Sequence, residues 1–159
     1  MTIDAPTPAA PIAPVVKSVE VACAPDRAFE LFTSGIGEWW PLLTHSVYGE
    51  EAVSVVMGAG IGEEIVETSA TGERSSWGTI VSWEPGRCVA FTWHPGLPVE
   101  ETTDVVVRFT PTARGTLVEL VHTGWERWED PISIRDNYDT GWVPVMARFA
   151  DRASAPEPE

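Results

Sequence analysis

Apolar and polar residues alternate in short runs over most of the chain between Val15 and Thr123. A period of two is typical of β-strands that bury one face, and the runs are separated by turns rich in glycine and proline. The short connections predict a mainly antiparallel meander. The predicted strands are Val15–Ala22, Ala52–Met57, Gly62–Thr68, Arg74–Trp83, Arg87–His94, Thr102–Thr110 and Thr116–Thr123.

The period changes to three or four residues in two places, which predicts helices. Pro25 suits the first position of a helix, and a short second helical piece is predicted from Ile36 to Trp40. Near the C-terminus, an apolar stripe predicts a long helix that is interrupted by Pro144. Either this helix starts near Asp139 or Thr140, with the proline in an early turn, or it is kinked there. The stripe consists of Ile134, Tyr138, Trp142, Val145 or Met146, and Phe149.

This order of elements predicts an α+β domain. A curved antiparallel sheet of about seven strands would wrap round the long C-terminal helix, with two short helices after the first strand. Such an arrangement leaves a cavity between the helix and the sheet. We assign residues 15–152 to this domain, and residues 1–14 and 153–159 to disordered tails rich in proline and alanine.

Composition narrows the classes of function. The 159 residues carry a net charge of −14, which disfavours binding to nucleic acid. No apolar run is long enough for membrane insertion, and no signal peptide is visible. Two cysteines, Cys23 and Cys88, do not form a disulfide framework, so a reduced cytoplasmic location is expected. The acidic excess indicates solubility, and the eight tryptophans call for an explanation.

Several local motifs, taken in order, resemble a known family. The sequence is similar to the helix-grip superfamily (SRPBCC, START-like or Bet v 1-like). Within it, the sequence looks most like the bacterial relatives of the C-terminal domain of the heat-shock-protein-90 ATPase activator. The matching segments are Ala24–Phe29, Trp39–Pro41, Gly78–Ile80, Glu84–Arg87, Phe91–Trp93, Gly115–Thr116, His122–Trp125 and Gly141–Trp142.

This resemblance implies an apolar cavity that binds a lipid-like or aromatic small molecule without an obligatory cofactor. Members of the superfamily include ligand carriers and polyketide cyclases, so the fold does not fix the function. The tryptophans offer candidate walls, because ligand pockets are mostly apolar and aromatic. Trp125 and Trp128, which flank charged residues, are predicted to lie in a loop or at the rim.

Strand parity selects the side chains that can share the cavity face. Asp104, Arg108 and Glu119 mark the outer face of their strands. The residues of opposite parity should therefore point towards the helix, namely Val105, Val107, Phe109, Val118, Leu120 and His122. The predicted ligand-binding residues are Trp39, Trp40, Phe91, Trp93, Val105, Val107, Phe109, Val118, Leu120, His122, Trp142 and Met146.

Two side chains are weak candidates for acid–base chemistry. His122 falls on the inward face, where it is either a satisfied core group or a polar contact for a ligand. Glu64 lies on a strand and would act as an acid or base only if it pointed inwards; otherwise it belongs to a charged edge strand. The spacing of His and Cys residues matches no metal site, so no metal is expected.

The leading hypothesis is therefore a protein that binds an apolar small molecule in an interior cavity. One alternative is an enzyme of the cyclase or dehydratase kind that uses His122 or Glu64 in the same cavity. Another is a chaperone co-factor or interaction module, which would expose an apolar patch near Trp125 and Trp128. For the oligomeric state, a homodimer is kept as an alternative to a monomer.

Overall fold

The computed structural model describes residues 12–155, which form one curled seven-stranded antiparallel sheet and two α-helices. The strand order in the sheet is β1-β7-β6-β5-β4-β3-β2, so β1 and β2 are its edges. The α+β helix-grip prediction is confirmed. The strands are β1 (Val15–Val21), β2 (Ala52–Met57), β3 (Glu64–Ser69), β4 (Arg74–Glu84), β5 (Cys88–Trp93), β6 (Thr103–Pro111) and β7 (Thr116–Thr123).

The first helix, α1 (Pro25–Phe32), begins at the predicted proline and buries one apolar face. It is followed by a single 3-10 turn, Ile36–Glu38, which is shorter than the helical piece predicted to reach Trp40. Further 3-10 turns cover Gly49–Glu51, Val99–Glu101 and Trp125–Arg127.

The long helix α2 (Pro131–Ser154) starts earlier than one of the sequence-based alternatives allowed. Asp130 caps it by accepting a hydrogen bond from the backbone N–H of Ser133 at 3.3 Å. A start near Asp139 is therefore wrong, and Pro144 lies inside the helix. Pro144 and Thr140 are both exposed, so the carbonyl that loses its helical partner can be hydrated.

Residues at both ends of the described chain contact the domain. Ile12 packs against the core, and the carbonyl oxygens of Ala13 and Pro14 accept hydrogen bonds from Arg135 on α2. At the other end, α2 continues to Ser154 and Ala153 is buried, two residues beyond the predicted boundary at 152. The remaining predicted tail residues, 1–11 and 156–159, lie outside the described residues.

Helix α2 lies across the concave face of the sheet and is fixed at several points. Arg148 Nε donates to the carbonyl oxygen of Trp39 at 2.9 Å, and Arg152 pairs with Glu38 at 2.7 Å. Lys17 on β1 pairs with Asp139 at 2.8 Å. These contacts hold the apolar stripe of α2 over the sheet, and the space left between them contains the candidate site.

Candidate functional site

A cavity of about 580 Å³ lies between α2, strands β4 and β5, and the loop that follows the first 3-10 turn. Its inner walls are buried, whereas Thr44, Val47, Gly96 and Asn137 at its mouth are exposed. The lining residues are Trp40, Thr44, His45, Ser46, Val47, Trp77, Trp93, Pro95, Gly96, Asn137, Tyr138, Gly141, Trp142 and Val145.

Four tryptophans dominate the buried walls, and we call Trp40, Trp77, Trp93 and Trp142 the indole cage. Trp77 and Trp93 come from neighbouring strands, and their ring centroids are 5.6 Å apart. Trp142 on α2 faces Trp93 at 5.4 Å, and Trp40 lies 5.1 Å from Trp77. All four are buried and pack against one another, so they form one contiguous aromatic cluster beside the cavity.

Hydrogen bonds fix three of the four indoles in place. The donor is Nε1 in each case, and the acceptor belongs to a different part of the chain. Trp40 donates to the carbonyl oxygen of His45 (2.6 Å), Trp77 to Oε1 of Glu67 (2.9 Å) and Trp142 to Nδ1 of His122 (2.9 Å). The Nε1 of Trp93 has no hydrogen-bond partner within residues 12–155.

His122 is fully buried behind the indole cage, and both of its ring nitrogens are engaged. Because Trp142 Nε1 can only donate, Nδ1 of His122 is the unprotonated nitrogen. Nε2 then carries the proton and lies 2.6 Å from Thr103 Oγ1, whose hydroxyl donates to the carbonyl oxygen of Trp93 at 3.1 Å. Burial lowers the pKa of His122 to about 3, so the ring is neutral near pH 7.

In this arrangement His122 bridges two walls of the cavity. It joins the helix wall of the cavity at Trp142 to the sheet wall at Trp93, and neither ring nitrogen is left to take a proton from a ligand. The parity prediction that His122 points inwards is correct, but it does not line the cavity.

The polar groups that do line the cavity lie on its mouth side. Burial raises the pKa of Tyr138 to about 12, so its phenol stays protonated and can donate a hydrogen bond. Thr44 Oγ1 and His45 Nδ1 are 2.7 Å apart in the loop opposite. Together with Asn137 and Ser46, these side chains could orient a polar substituent of a ligand that enters between loop and helix.

Glu67 is a buried carboxylate that holds this loop against the sheet. Its Oε1 accepts from the backbone N–H of Val47 (2.8 Å) and from Trp77 Nε1 (2.9 Å), and its Oε2 accepts from the N–H of Tyr48 (2.9 Å). Three N–H donors from separate parts of the chain therefore meet on this one carboxyl group. One side chain thus ties the mouth of the cavity to one of its walls.

The predicted ligand-binding residues separate into two groups. Trp40, Trp93 and Trp142 line the cavity. The others are buried in the surrounding core, where they support the walls: Trp39, Phe91, Val105, Val107, Phe109, Val118, Leu120, His122 and Met146. Parity identified buried positions correctly but did not distinguish a cavity wall from the core behind it. Trp77, Tyr138 and the loop 44–47 were missed because only tertiary packing brings them together.

Glu64 on β3 does not point inwards, as its candidate role as an acid or base would require. Glu64 is exposed at the start of the strand, whereas Ile65, Glu67 and Ser69 point inwards. Both Ile65 and Val66 are apolar, so alternation alone did not decide whether the odd-numbered or the even-numbered residues of β3 are buried. The shared parity of Ile65 and Glu67 was the available signal.

The predicted rim tryptophans also differ from expectation. Trp125 is fully buried, with its ring 4.3 Å from that of His122 and 5.8 Å from that of Tyr138. The prediction that Trp125 lies in a loop or at the rim is wrong about its burial, because a 3-10 turn places the side chain in the core. Trp128 is half-buried beside a second, more open depression that it forms with Asp130 and Ser133.

Within residues 12–155, no group of three or more His, Cys, Asp or Glu side chains is arranged to hold a metal ion. No helix in the same range is long and apolar enough to span a bilayer.

A curled sheet closed by one long helix over a cavity is the architecture of the SRPBCC superfamily. Within it, the chain belongs to the family described as activator of Hsp90 ATPase homolog 1-like protein, whose model matches residues 22–153. A comparison with curated proteins found no match.

Among solved structures, the chain is similar to Txn09, an anthrahydroquino-γ-pyrone synthase that was solved with a ligand. The two are 30% identical with a TM-score of 0.61, over 89% of this chain and 97% of the synthase. The Aha1 dimer from Colwellia psychrerythraea is 14% identical, with a TM-score of 0.65 over 92% of this chain and 100% of that one. Protein CV1439 from Chromobacterium violaceum is 17% identical, with a TM-score of 0.66 over 91% and 100%.

Proposed function

We propose that this protein binds a planar aromatic small molecule in the cavity between α2 and the sheet. The observation that carries the proposal is the indole cage, in which four tryptophans pack against one another and form the buried side of a cavity of about 580 Å³. Cavities of roughly 300–1,000 Å³ are typical of small-molecule sites, and flat aromatic ligands can stack on indole faces or meet their edges. The similarity to a synthase of a fused aromatic product supports the same ligand class.

Gly141 provides a way to test this proposal without touching the indole cage. It lies on α2, lines the cavity, and a Cβ built there would have no atom within 4 Å. Gly141→Phe would therefore place a ring in the cavity, while Gly141→Ala would add one methyl group and serve as the matched control. The neutral fluorescent probe 1-aminoanthracene reports occupancy through its change in emission.

Wild type and Gly141→Ala should bind 1-aminoanthracene. Gly141→Phe should bind it at least about tenfold more weakly, because its ring would occupy part of the cavity. A tenfold change in the dissociation constant corresponds to about 1.4 kcal/mol. Circular dichroism and thermal unfolding would establish that the variant is folded. Failure of the wild type to bind, or equal binding by folded Gly141→Phe, would contradict the proposal.

A second candidate function is a cyclase or dehydratase-type reaction in the same cavity, favoured by the 30% identity to the synthase. The engaged ring of His122 and the exposed position of Glu64 give neither group a clear catalytic role. Tyr138 is the better candidate, because a protonated phenol that lines the cavity can donate to a developing oxyanion.

A simple cyclisation tests this second candidate. In 2′-hydroxychalcone, the phenol oxygen bonds to the β-carbon of the enone while a proton passes to the α-carbon, which gives flavanone. Wild type should accelerate this change in absorbance over buffer, and Tyr138→Phe should reduce the acceleration. No acceleration by the wild type would count against cyclase activity of this kind and leave the binding proposal unaffected.

A further inference from the structure

Gly141 is a glycine that neither its backbone conformation nor close packing explains. The chain has 13 glycines, and eight of them have a positive φ, which favours glycine over other residues. At four more, an added Cβ would come within 3.1 Å of a neighbouring atom: Gly35, Gly37, Gly58 and Gly78. Gly141 has neither constraint, because it lies inside the helix α2 and a Cβ there would have no atom within 4 Å.

The helix itself gains nothing from this glycine. Glycine loses more conformational freedom on folding than alanine, so it destabilises a helix interior. Pro144, three residues further on, already removes one hydrogen bond from α2. Alanine at position 141 would strengthen the helix without a collision, so the reason for the missing side chain lies outside α2.

The surroundings of Gly141 provide such a reason. Tyr138 and Val145 lie three residues before it and four residues after it, so they share its face of the helix, and all three residues line the cavity. The bare backbone leaves a gap between these two side chains, which we call the α2 notch. The indoles of the cage are at most 7% exposed, whereas Gly141 is half-buried, so part of its surface is accessible.

We infer that the edge of the ligand's ring system enters the α2 notch, which makes Gly141 a specificity-determining residue. This inference rests on the proposed function. Glycine allows a ligand to approach the backbone more closely than any other residue does. A linear row of fused rings is narrow enough to lie in the cavity without using the notch, so the favoured ligand is a compact polycyclic aromatic molecule more than one ring wide.

Two fluorescent amines test the effect of ligand width. 1-Aminopyrene and 1-aminoanthracene carry the same substituent, but pyrene is two rings wide at its centre and anthracene is one ring wide. Gly141→Ala fills the α2 notch with one methyl group. Pro144→Ala is the matched control, because it also removes a helix-weakening residue from α2 but is exposed and does not line the cavity. Equilibrium dialysis gives the dissociation constants.

Gly141→Ala should bind 1-aminopyrene about tenfold more weakly than the wild type, since one methyl group in a close-fitting pocket changes affinity on this scale. Its affinity for 1-aminoanthracene should stay within about twofold, and Pro144→Ala should leave both affinities unchanged. The inference is overturned if Gly141→Ala changes both affinities by the same factor, or if the wild type binds only 1-aminoanthracene. In either case the proposed function stands. If the wild type binds neither compound, the two fail together.

Nuclear magnetic resonance tests the contact itself. In protein labelled with ¹³C-glycine, bound 1-aminopyrene should give intermolecular nuclear Overhauser effects to the Hα atoms of Gly141 and none to those of Gly37, which does not line the cavity. The spectrum of Gly141→Ala identifies the Gly141 signal by its absence. Bound 1-aminopyrene without these effects at Gly141 would overturn the inference and leave the proposed function intact.

Discussion

The indole nitrogen of Trp142 donates to Nδ1 of His122 across 2.9 Å, which joins helix α2 to the sheet at the base of the cavity. The hydrogen-bonded chain continues through Thr103 to the backbone carbonyl oxygen of Trp93, so it links the indole of Trp142 on α2 to the end of β5. Because every member is satisfied, the chain can keep the cavity walls in a fixed relation to each other.

The buried, neutral ring of His122 in this hydrogen-bonded chain predicts that the protein loses stability as the pH falls. The pKa of His122 is about 3 in the folded protein and near 6.5 when unfolded, so the unfolded chain binds a proton first. The stabilisation is complete above pH 6.5 and is lost progressively as the pH falls towards 3. At pH 4.5, two pH units below the unfolded value, the loss should be about 2 to 3 kcal/mol.

Urea unfolding of the wild type and His122→Gln at pH 7.5 and 4.5 measures this contribution. Glutamine can still donate and accept but does not ionise in this range, so its variant should lose less stability on acidification. His45→Gln is a substitution in the loop 44–47, outside this hydrogen-bonded chain. It should lose as much stability between pH 7.5 and 4.5 as the wild type. Equal pH dependence in wild type and His122→Gln would contradict the prediction.

Glu67→Gln should loosen the mouth of the cavity. The carboxylate accepts three hydrogen bonds, and an amide would set its NH₂ group against at least one of those donors. The expected cost is about 1–3 kcal/mol in the free energy of unfolding, with faster hydrogen exchange at Val47 and Tyr48.

Glu64→Gln is the control for this experiment, because it makes the same change at an exposed position on the same strand. Its stability should stay within about 0.5 kcal/mol of the wild type, with unchanged exchange in the loop. Unchanged exchange at Val47 and Tyr48 in Glu67→Gln would show that the carboxylate does not hold the loop.

The sequence predicted the sheet well because alternation ties many residues to one face at once. On β7, the pattern of Val118, Leu120 and His122 left little freedom, and all three are buried. The same rule was ambiguous on β3, where Ile65 and Val66 are consecutive apolar residues, and a register shift lies between them. The choice between Glu64 and Glu67 therefore depended on tertiary structure.

The cavity itself was harder to predict than the fold. Its walls combine Trp77 from a strand, Tyr138 from α2 and the loop at His45, which are far apart in sequence. The burial of Trp125 was hidden by the charged residues beside it, which face outwards from the same 3-10 turn. Periodicity gives the face of an element, but it does not show which buried side chains border empty space.

Pro144→Ala should stabilise the protein. Pro144 lies inside α2 with its side chain exposed, so it removes one helical hydrogen bond without providing core packing. Restoring the N–H should raise the free energy of unfolding by about 1–3 kcal/mol, less than the full helix-propensity difference because proline also restricts the unfolded chain.

The neighbouring Val143→Ala is the control, since Val143 is 56% exposed and its substitution should change stability by no more than about 0.5 kcal/mol. Both variants can be compared by urea unfolding. A Pro144→Ala variant less stable than the wild type would mean that the proline sets a helix geometry that the packing of α2 requires.

Gly78→Ala should be strongly destabilising, because a Cβ at this position would collide with the backbone carbonyl oxygen of Thr92 on β5. Backbone cannot move aside as a flexible side chain can, so β4 and β5 would have to separate beside Trp77. We expect a loss of at least about 2 kcal/mol in urea unfolding. Gly141→Ala adds the same methyl group in open space on α2 and should gain up to about 1 kcal/mol from higher helix propensity. Equal stability of the two variants would show that the strands tolerate separation at this point, and the wall formed by Trp77 would then not depend on their close approach.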